Sequence, residues 1–329
     1  MTGVKIQRRK IRGRAVLLAA LIVALAPTAA SAEPEPANRS AAGFIFALIG
    51  DTPYGPEQVT QFADLRAAIN ADSTVRMVLH AGDVKGGSER CDDALFAERH
   101  ALYEAFEDPF VLTPGDNEWT DCHRTAAGSY LPTERLAAMR AVFYPMPGHT
   151  TGGRSMRVRS QAADPEYGAY VENVRFHRNR VIFATVHVVG SRNGLEPWSG
   201  LPDGDRPSAR TAEVAAREAA ALSWIDAAFD AATNQNAAGV LLLLQAEPVE
   251  SEPGYARIRD RIVRRATDFG RPVLLVHGDE HVFEQQPSYA GVPNLTRLET
   301  FGDTAQNWLR VHVDPSSREV FSWTPVTVP

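Results

Sequence analysis

The hydrophobic positions of the chain fall into short apolar runs separated by amphipathic stretches. Runs at 44–49, 76–81, 110–113, 180–189, 240–245 and 273–277 are dense in Val, Ile, Leu and Phe, and two more follow at 308–313 and 320–323. Short runs bounded by Gly, Pro or Asp predict strands covered on both faces. Between them, apolar residues recur at helical spacing at about 57–70, 92–106, 133–142, 211–231 and 255–269. In the fourth of these, Leu222, Ile225 and Phe229 share one stripe. Strands alternating with helices predict the α/β class, with helices covering a sheet. Two segments break the alternation: 146–178, rich in Gly and Arg, and 191–208, rich in Gly and Pro. Both are predicted to be surface loops long enough to act as functional flaps.

The start of the chain follows another pattern. Lys5, Arg8, Arg9, Lys10, Arg12 and Arg14 precede an apolar run at 15–26, and Ala30-Ser31-Ala32 closes it. This is the layout of a cleavable signal peptide over 1–32, and the run is too short to span a bilayer. Arg8-Arg9 leaves both the general and the twin-arginine route open. Residues 33–42 read as a flexible lead-in and 43–329 as the working domain. An exported protein of the periplasm or the extracellular space is expected. No later apolar run is long enough to cross a membrane. Nothing in the sequence fixes an oligomeric state.

Charge narrows the function classes. The chain carries a formal net charge of −6, and loss of the six positive charges of the signal segment leaves −12 on the rest. That balance argues against nucleic acid as a partner and suits a soluble exported protein or one that handles cations. Cys91 and Cys122 are the only cysteines. In an oxidising compartment they are expected to form one disulfide, the alternative being two separate buried thiols. They form no zinc-type cluster with histidine.

One dipeptide carries most of the chemical signal. Gly-Asp occurs six times, at 50, 82, 115, 204, 278 and 302, well above chance for 24 Gly and 19 Asp in 329 residues. Four of the six end an apolar run, which puts Asp51, Asp83, Asp116 and Asp279 just past the C-terminal ends of strands. That edge of an α/β sheet is where sites form. Gln245 ends the 240–245 run and fits the same edge. Four carboxylates brought together repel one another and resist ionisation unless a cation joins them. The expected centre is therefore one or two divalent ions held mainly by oxygen, with His281 as a nitrogen ligand. Each aspartate taken alone would fit equally a turn or a helix cap.

The order Asp51, Gly82-Asp83, Gly115-Asp116-Asn117-Glu118, Gln245, Gly278-Asp279-Glu280-His281 resembles the calcineurin-like metallophosphoesterases, whose pattern is Asp-x-His, Gly-Asp, Gly-Asn-His-Asp/Glu, a lone His and Gly-His-x-His. The resemblance implies a four-layer αββα sandwich with two metals at the strand ends. Carried over by position, Asp51 and His281 hold one metal, Asp83 bridges, and Asp116, Gln245 and Asp279 hold the other. The departures are large. Pro53 stands where the family has the first histidine, Asp116 where it has asparagine, and Asn117 where it has the general-acid histidine. Gln245 replaces the lone histidine and Asp279 the first of the last pair. Loss of imidazoles and gain of carboxylates favour Mg²⁺, Mn²⁺ or Ca²⁺ over zinc or iron.

Further candidates lie outside the motif. His123, five residues past Glu118, is a possible substitute for the missing acid. Arg192 and Asn193 follow a strand in VVGSRNG and are candidates to clamp an anionic group. Trp119 and Trp198 either wall a pocket or simply pack. His80, His187 and His277 lie within β-type runs and read as satisfied core residues. The expected function is metal-dependent hydrolysis of a small-molecule phosphate mono- or diester, with a metal-activated water attacking phosphorus. The alternatives are a non-catalytic metal- or ligand-binding module on the same fold, or a cell-envelope interaction protein. Asn117 separates the first two readings, because an amide cannot protonate a leaving group as histidine does.

Overall fold

The computed structural model describes residues 1–3, 43–248 and 252–328. Apart from its first three residues, the expected signal peptide at 1–32 lies outside the described residues, as does the lead-in at 33–42. Among the described residues, no helix is long and apolar enough to cross a membrane.

Two sheets form the centre. The first has the order β12-β11-β1-β2-β3, with β1 Phe44–Ile49, β2 Val75–His80, β3 Phe110–Leu112, β11 Asn307–Val313 and β12 Phe321–Thr327. The second has the order β4-β5-β6-β7-β8-β10-β9. It comprises β4 Arg159–Ser160, β5 Val174–Arg178, β6 Val181–Thr185, β7 Gly239–Leu243, β8 Val273–His277, β9 Gln285–Gln286 and β10 Leu295–Glu299. Pairing is parallel through β1-β2-β3 and through β6-β7-β8-β10. Apart from β10, the parallel strands are largely apolar runs because both of their faces are covered.

One core lies between the sheets, where Phe46, Leu48, Met77 and Leu79 meet Phe183, Leu241, Leu274 and Val276. A second joins the outer face of the first sheet to α1 Gly55–Ala71, α2 Asp93–Glu104 and α3 Pro132–Phe143, through residues such as Phe62, Phe96 and Leu136. The third joins the second sheet to α5 Pro207–Asn234 and α6 Ala256–Phe269, through Ile225, Phe229 and Ile262. These are the four layers of an αββα sandwich. Local signals set the helix ends: the Asp92 side chain accepts from the Leu95 amide to start α2, and Gly270 ends α6 in a left-handed conformation.

The structure corrects several sequence expectations. The run at 180–189 is a strand only as far as Thr185. Beyond it the His187 amide turns to the side chain of Asn173, which takes the place of a ladder partner. Residues 146–178 are not all loop, since β4 and β5 form an antiparallel edge there. β10 gave no apolar signal because buried Arg297 sits in its middle among Glu247, Glu284 and Glu299. The helix expected at 211–231 is longer, Pro207–Asn234, with proline at its start.

Candidate metal centre

The motif residues meet at one edge. Asp51 follows β1, Asp83 follows β2, Asp116 follows β3, Gln245 follows β7 and Asp279 follows β8. One carboxylate oxygen from each of Asp83, Asp116 and Asp279 lies within 4.8 Å of the others. The recurring glycine has a specific use here. A Cβ on Gly115 would stand 1.9 Å from Asp83 Oδ1, and one on Gly278 would stand 2.1 Å from Asp51 Oδ2. The glycine of one motif makes room for the carboxylate of another. Asp51, Asp83, Asp279 and His281 hold left-handed φ values of 53°, 55°, 82° and 59°. Such conformations cost energy and gather at functional sites.

The electrostatics are those of an excess of buried negative charge. Burial, then the charge of Asp279, pushes the Asp116 carboxyl up to about 7. Burial, then Asp51, pushes Asp279 up to about 7. Asp83 is also raised, through burial and then the charges of Asp116 and Glu118. Asp121, held 2.7 Å from Arg124, is also pushed up to about 7 by burial and by Asp116. Glu118 Oε1 accepts from the Gly115 amide at 2.6 Å, while its Oε2 is buried with no hydrogen-bond partner. Three converging carboxylates with little opposing charge fit a hard divalent cation, which accepts oxygen ligands and removes their mutual repulsion.

Gln245 is fully buried and faces this group with the opposite chemistry from that expected of a ligand. Its Nε2 donates to Asp279 Oδ1 at 2.7 Å and lies 3.3 Å from Asp83 Oδ2 and 3.4 Å from Asp116 Oδ1. Its Oε1 accepts from the Gly190 amide at 2.7 Å. In this geometry the lone pairs of the Gln245 amide point away from the carboxylates and its N–H groups point towards them.

Asn117, at the general-acid position, clamps Asp83 instead. Its amide N donates to Oδ1 at 3.0 Å and its Nδ2 to Oδ2 at 2.7 Å. Asp51 accepts from the Asp279 amide at 3.1 Å, and its Oδ1 lies 3.6 Å from His281 Nε2. That pairing, led by the hydrogen bond with Asp51, raises the His281 pKa above its ordinary value. Asp51 and His281 thus meet as the motif order implies.

The remaining candidates separate. His123 is buried, and its Nδ1 accepts from the Gly200 amide at 3.3 Å; burial lowers its pKa, and it makes no hydrogen bond to the acidic group. Asn193 is buried and engaged within the protein. Its Oδ1 accepts from Arg217 at 2.5 Å and its Nδ2 donates to the Gly254 carbonyl at 2.9 Å. Arg192 is exposed, with no side-chain bond among the described residues. Trp119 and Trp198 are buried packing residues. His80, His187 and His277 are buried and bonded, as expected: His80 to the Thr52 carbonyl, His187 to Glu172, and His277 to the Gly278 carbonyl. Cys91 and Cys122 form the disulfide, with Cα atoms 5.7 Å apart, and it joins the segments that follow Asp83 and Asp116.

Sequence reasoning missed Tyr54 and Ser191. Tyr54 OH donates to Asp83 Oδ2 at 3.2 Å, accepts from Asn117 Nδ2 at 3.3 Å and lies 3.5 Å from His281 Nε2. Ser191 Oγ lies 2.7 Å from Asp116 Oδ2 and 2.8 Å from Asp121 Oδ1. The signal for each was position: Tyr54 stands three residues past Asp51 on the same loop, and Ser191 is the neighbour of Arg192.

A family model described as calcineurin-like phosphoesterase matches residues 44–283. No curated protein gives a match. Among solved structures, the chain is similar to purple acid phosphatase PPD1 from yellow lupin (Lupinus luteus) seeds, at 11% identity and TM-score 0.47, covering 87% of this chain and 54% of that one. It is similar to the 5'-nucleotidase of Candida albicans at 9% identity and TM-score 0.45, covering 87% and 52%. GAP50, the anchor in the inner membrane complex of Plasmodium, aligns at 10% identity and TM-score 0.40, covering 87% and 89%. The chain spans about half the length of the first two.

Proposed function

Because the chain belongs to the calcineurin-like phosphoesterase family, we propose that it is an exported, metal-dependent hydrolase of small-molecule phosphate mono- or diesters, with Mg²⁺, Mn²⁺ or Ca²⁺ held by Asp83, Asp116 and Asp279. The observation that carries this reading is the convergence of those three carboxylates within 4.8 Å. A cation bound there supplies Lewis acidity toward a phosphoryl oxygen. Asp83 is held for this use by Asn117, which fixes both of its oxygens. Asp51 and His281 offer a second, poorer pair of donors, lacking the histidine that Pro53 replaces.

Proton donation shapes the substrate class. Asn117 has no acidic proton, and His123 is turned to Gly200. Hydrogen-bearing groups at the mouth include Tyr54, Ser191 and the partly exposed His281. A diester or activated ester, whose leaving group departs with little protonation, suits such a site best. Export to the periplasm or extracellular space is part of the proposal, on the basic segment, the apolar run and Ala30-Ser31-Ala32. Mature protein beginning at Glu33 is the expected result of N-terminal sequencing.

A second reading is a non-catalytic binding module, favoured by the Gln245 amide among the carboxylates. Metal analysis together with hydrolysis of bis(p-nitrophenyl) phosphate and p-nitrophenyl phosphate separates the two. Turnover that needs Mn²⁺, stops with EDTA and is absent in Asp83→Asn supports the hydrolase. Stoichiometric metal without turnover of either ester supports the module.

A further inference from the structure

The turn that faces the acidic group is unusual in its backbone. In α4 Gly190–Gly194, Ser191, Arg192 and Asn193 all have left-handed φ and ψ, at 51° and 43°, 58° and 44°, and 56° and 38°. A left-handed conformation is strained for residues with a Cβ, so the turn persists only because its surroundings hold it. Arg217 does so from α5. It donates to Asn193 Oδ1 at 2.5 Å and to the Asn193 carbonyl at 2.8 Å, while its guanidinium lies 5.1 Å from the centre of the Trp119 ring. The turn reaches the acidic group at two points. Ser191 Oγ joins Asp116 to Asp121, and the Gly190 amide donates to Gln245 Oε1. At Gly190 a Cβ would stand 2.4 Å from Asp279 Oδ1 and 2.7 Å from Asp116 Oδ2, so the backbone itself closes that side.

We propose that Gln245 and the turn Gly190–Gly194 form a latch: the Gly190 amide fixes the Gln245 oxygen, which holds the Gln245 NH₂ among Asp83, Asp116 and Asp279 and sets how tightly a divalent cation binds there. This rests on the metal-dependent reading above. The amide nitrogen is a donor and cannot ligate a cation. A cation bound by the three carboxylates competes for the oxygens that Nε2 now contacts, so its entry breaks these hydrogen bonds and displaces the amide. Turning the amide over in place would bring its oxygen round but set the NH₂ against the Gly190 N–H, donor against donor. The latch thus keeps the carboxylates partnered without metal and lowers cation affinity.

The test uses the full mature chain stripped with EDTA, with Mn²⁺ alone as the probe, in wild type, Gln245→Ala and Gln245→Met. The methionine variant keeps the volume filled while offering neither amide oxygen nor N–H. Calorimetry is expected to show Mn²⁺ bound at least about tenfold more tightly by both variants, the counterpart of one net hydrogen bond no longer broken. In EDTA both are expected to melt below wild type, because three carboxylates have lost their donor. Unchanged Mn²⁺ affinity in the variants, with wild type still binding, overturns the latch. Weaker affinity also overturns it and makes Gln245 a ligand. If none of the three proteins binds Mn²⁺, the metal-dependent reading falls and the latch falls with it.

Discussion

Two groups of buried carboxylates in this molecule are built in opposite ways. Glu172 lies wholly inside, just before β5. Arg140 of α3 grips it through both oxygens, at 2.9 Å and 2.5 Å, and His187 donates to it at 2.7 Å. Burial opposes its ionisation, but the Arg140 charge and the His187 hydrogen bond outweigh burial and hold it at about 2. His187 is itself pushed down by burial, so Arg140 carries the counter-charge. Asp83 and Asp116 are buried beside the partly buried Asp279, with a neutral amide as their shared partner, and all three are pushed up. Where the chain supplies its own cation, the carboxylate is a structural clamp between layers. Where Lys85 and Arg124 supply too little opposing charge to offset burial, the carboxylates form a group that could hold a cation.

The largest effect that would break this contrast is at the clamp. Glu172→Gln leaves the largely buried Arg140 without its closest counter-charge and is expected to cost about 3 kcal/mol, read by urea unfolding in EDTA. A cost below about 1 kcal/mol would show that the clamp carries no more than a surface ion pair.

pH gives the next effect. Glu172 sits at about 2 in the fold against an ordinary value of 4.5. A group with a lowered folded pKa stabilises fully above its unfolded value and loses that contribution as pH falls toward the folded one. Stability worth roughly 3 kcal/mol is therefore expected to disappear between about pH 4.5 and pH 2. Glu172→Gln should flatten that part of the profile, and an identical acid slope in the variant would remove Glu172 as its source.

Metal sharpens the other side. Mn²⁺ at 100 times its dissociation constant should stabilise the protein by about 2.7 kcal/mol, and Mg²⁺ or Ca²⁺ should raise the melting temperature more than Zn²⁺ does. Asp83→Asn should abolish most of the Mn²⁺ gain. Asp205→Asn should leave that gain intact, because Asp205 is bonded to Arg210 and the Trp198 amide in a loop. A full Mn²⁺ gain in Asp83→Asn would remove the acidic group as the binding place.

The smallest effect is a rise. In EDTA, Asp279→Asn removes one repelling carboxylate and should lift the melting temperature by about 2 °C, the scale of 1 kcal/mol. A fall would mean that the three carboxylates are already balanced by the chain, as Glu172 is.

Legibility followed the kind of signal. Long apolar runs found β1, β2, β7 and β8, since parallel strands covered on both faces need apolar residues at nearly every position, while β11, antiparallel to β1 and β12, showed through its buried Trp308, Leu309, Val311 and Val313. β5 and β10 escaped because edge pairing and a buried arginine leave no such run. The Gly-Asp pattern found Asp51, Asp83, Asp116 and Asp279 because strand ends and tight turns are written locally. The hydrogen bonding of Asn193 was hidden for the converse reason: its partner Arg217 is 24 residues away on another element.

The sequence alone determined the class of the fold, the edge at which the acidic residues gather, the two cysteines and the excess of negative charge. These depend on composition and on spacing along one strand or one turn. Only the tertiary structure decided which carboxylates meet, which way the Gln245 amide faces, and that Tyr54 and Ser191 join the group. Those choices depend on Gly190, Asn117 and Arg217, residues brought together from separate elements. The direction of a hydrogen bond across such a gap is set by packing and by nothing that neighbouring residues in the sequence contain.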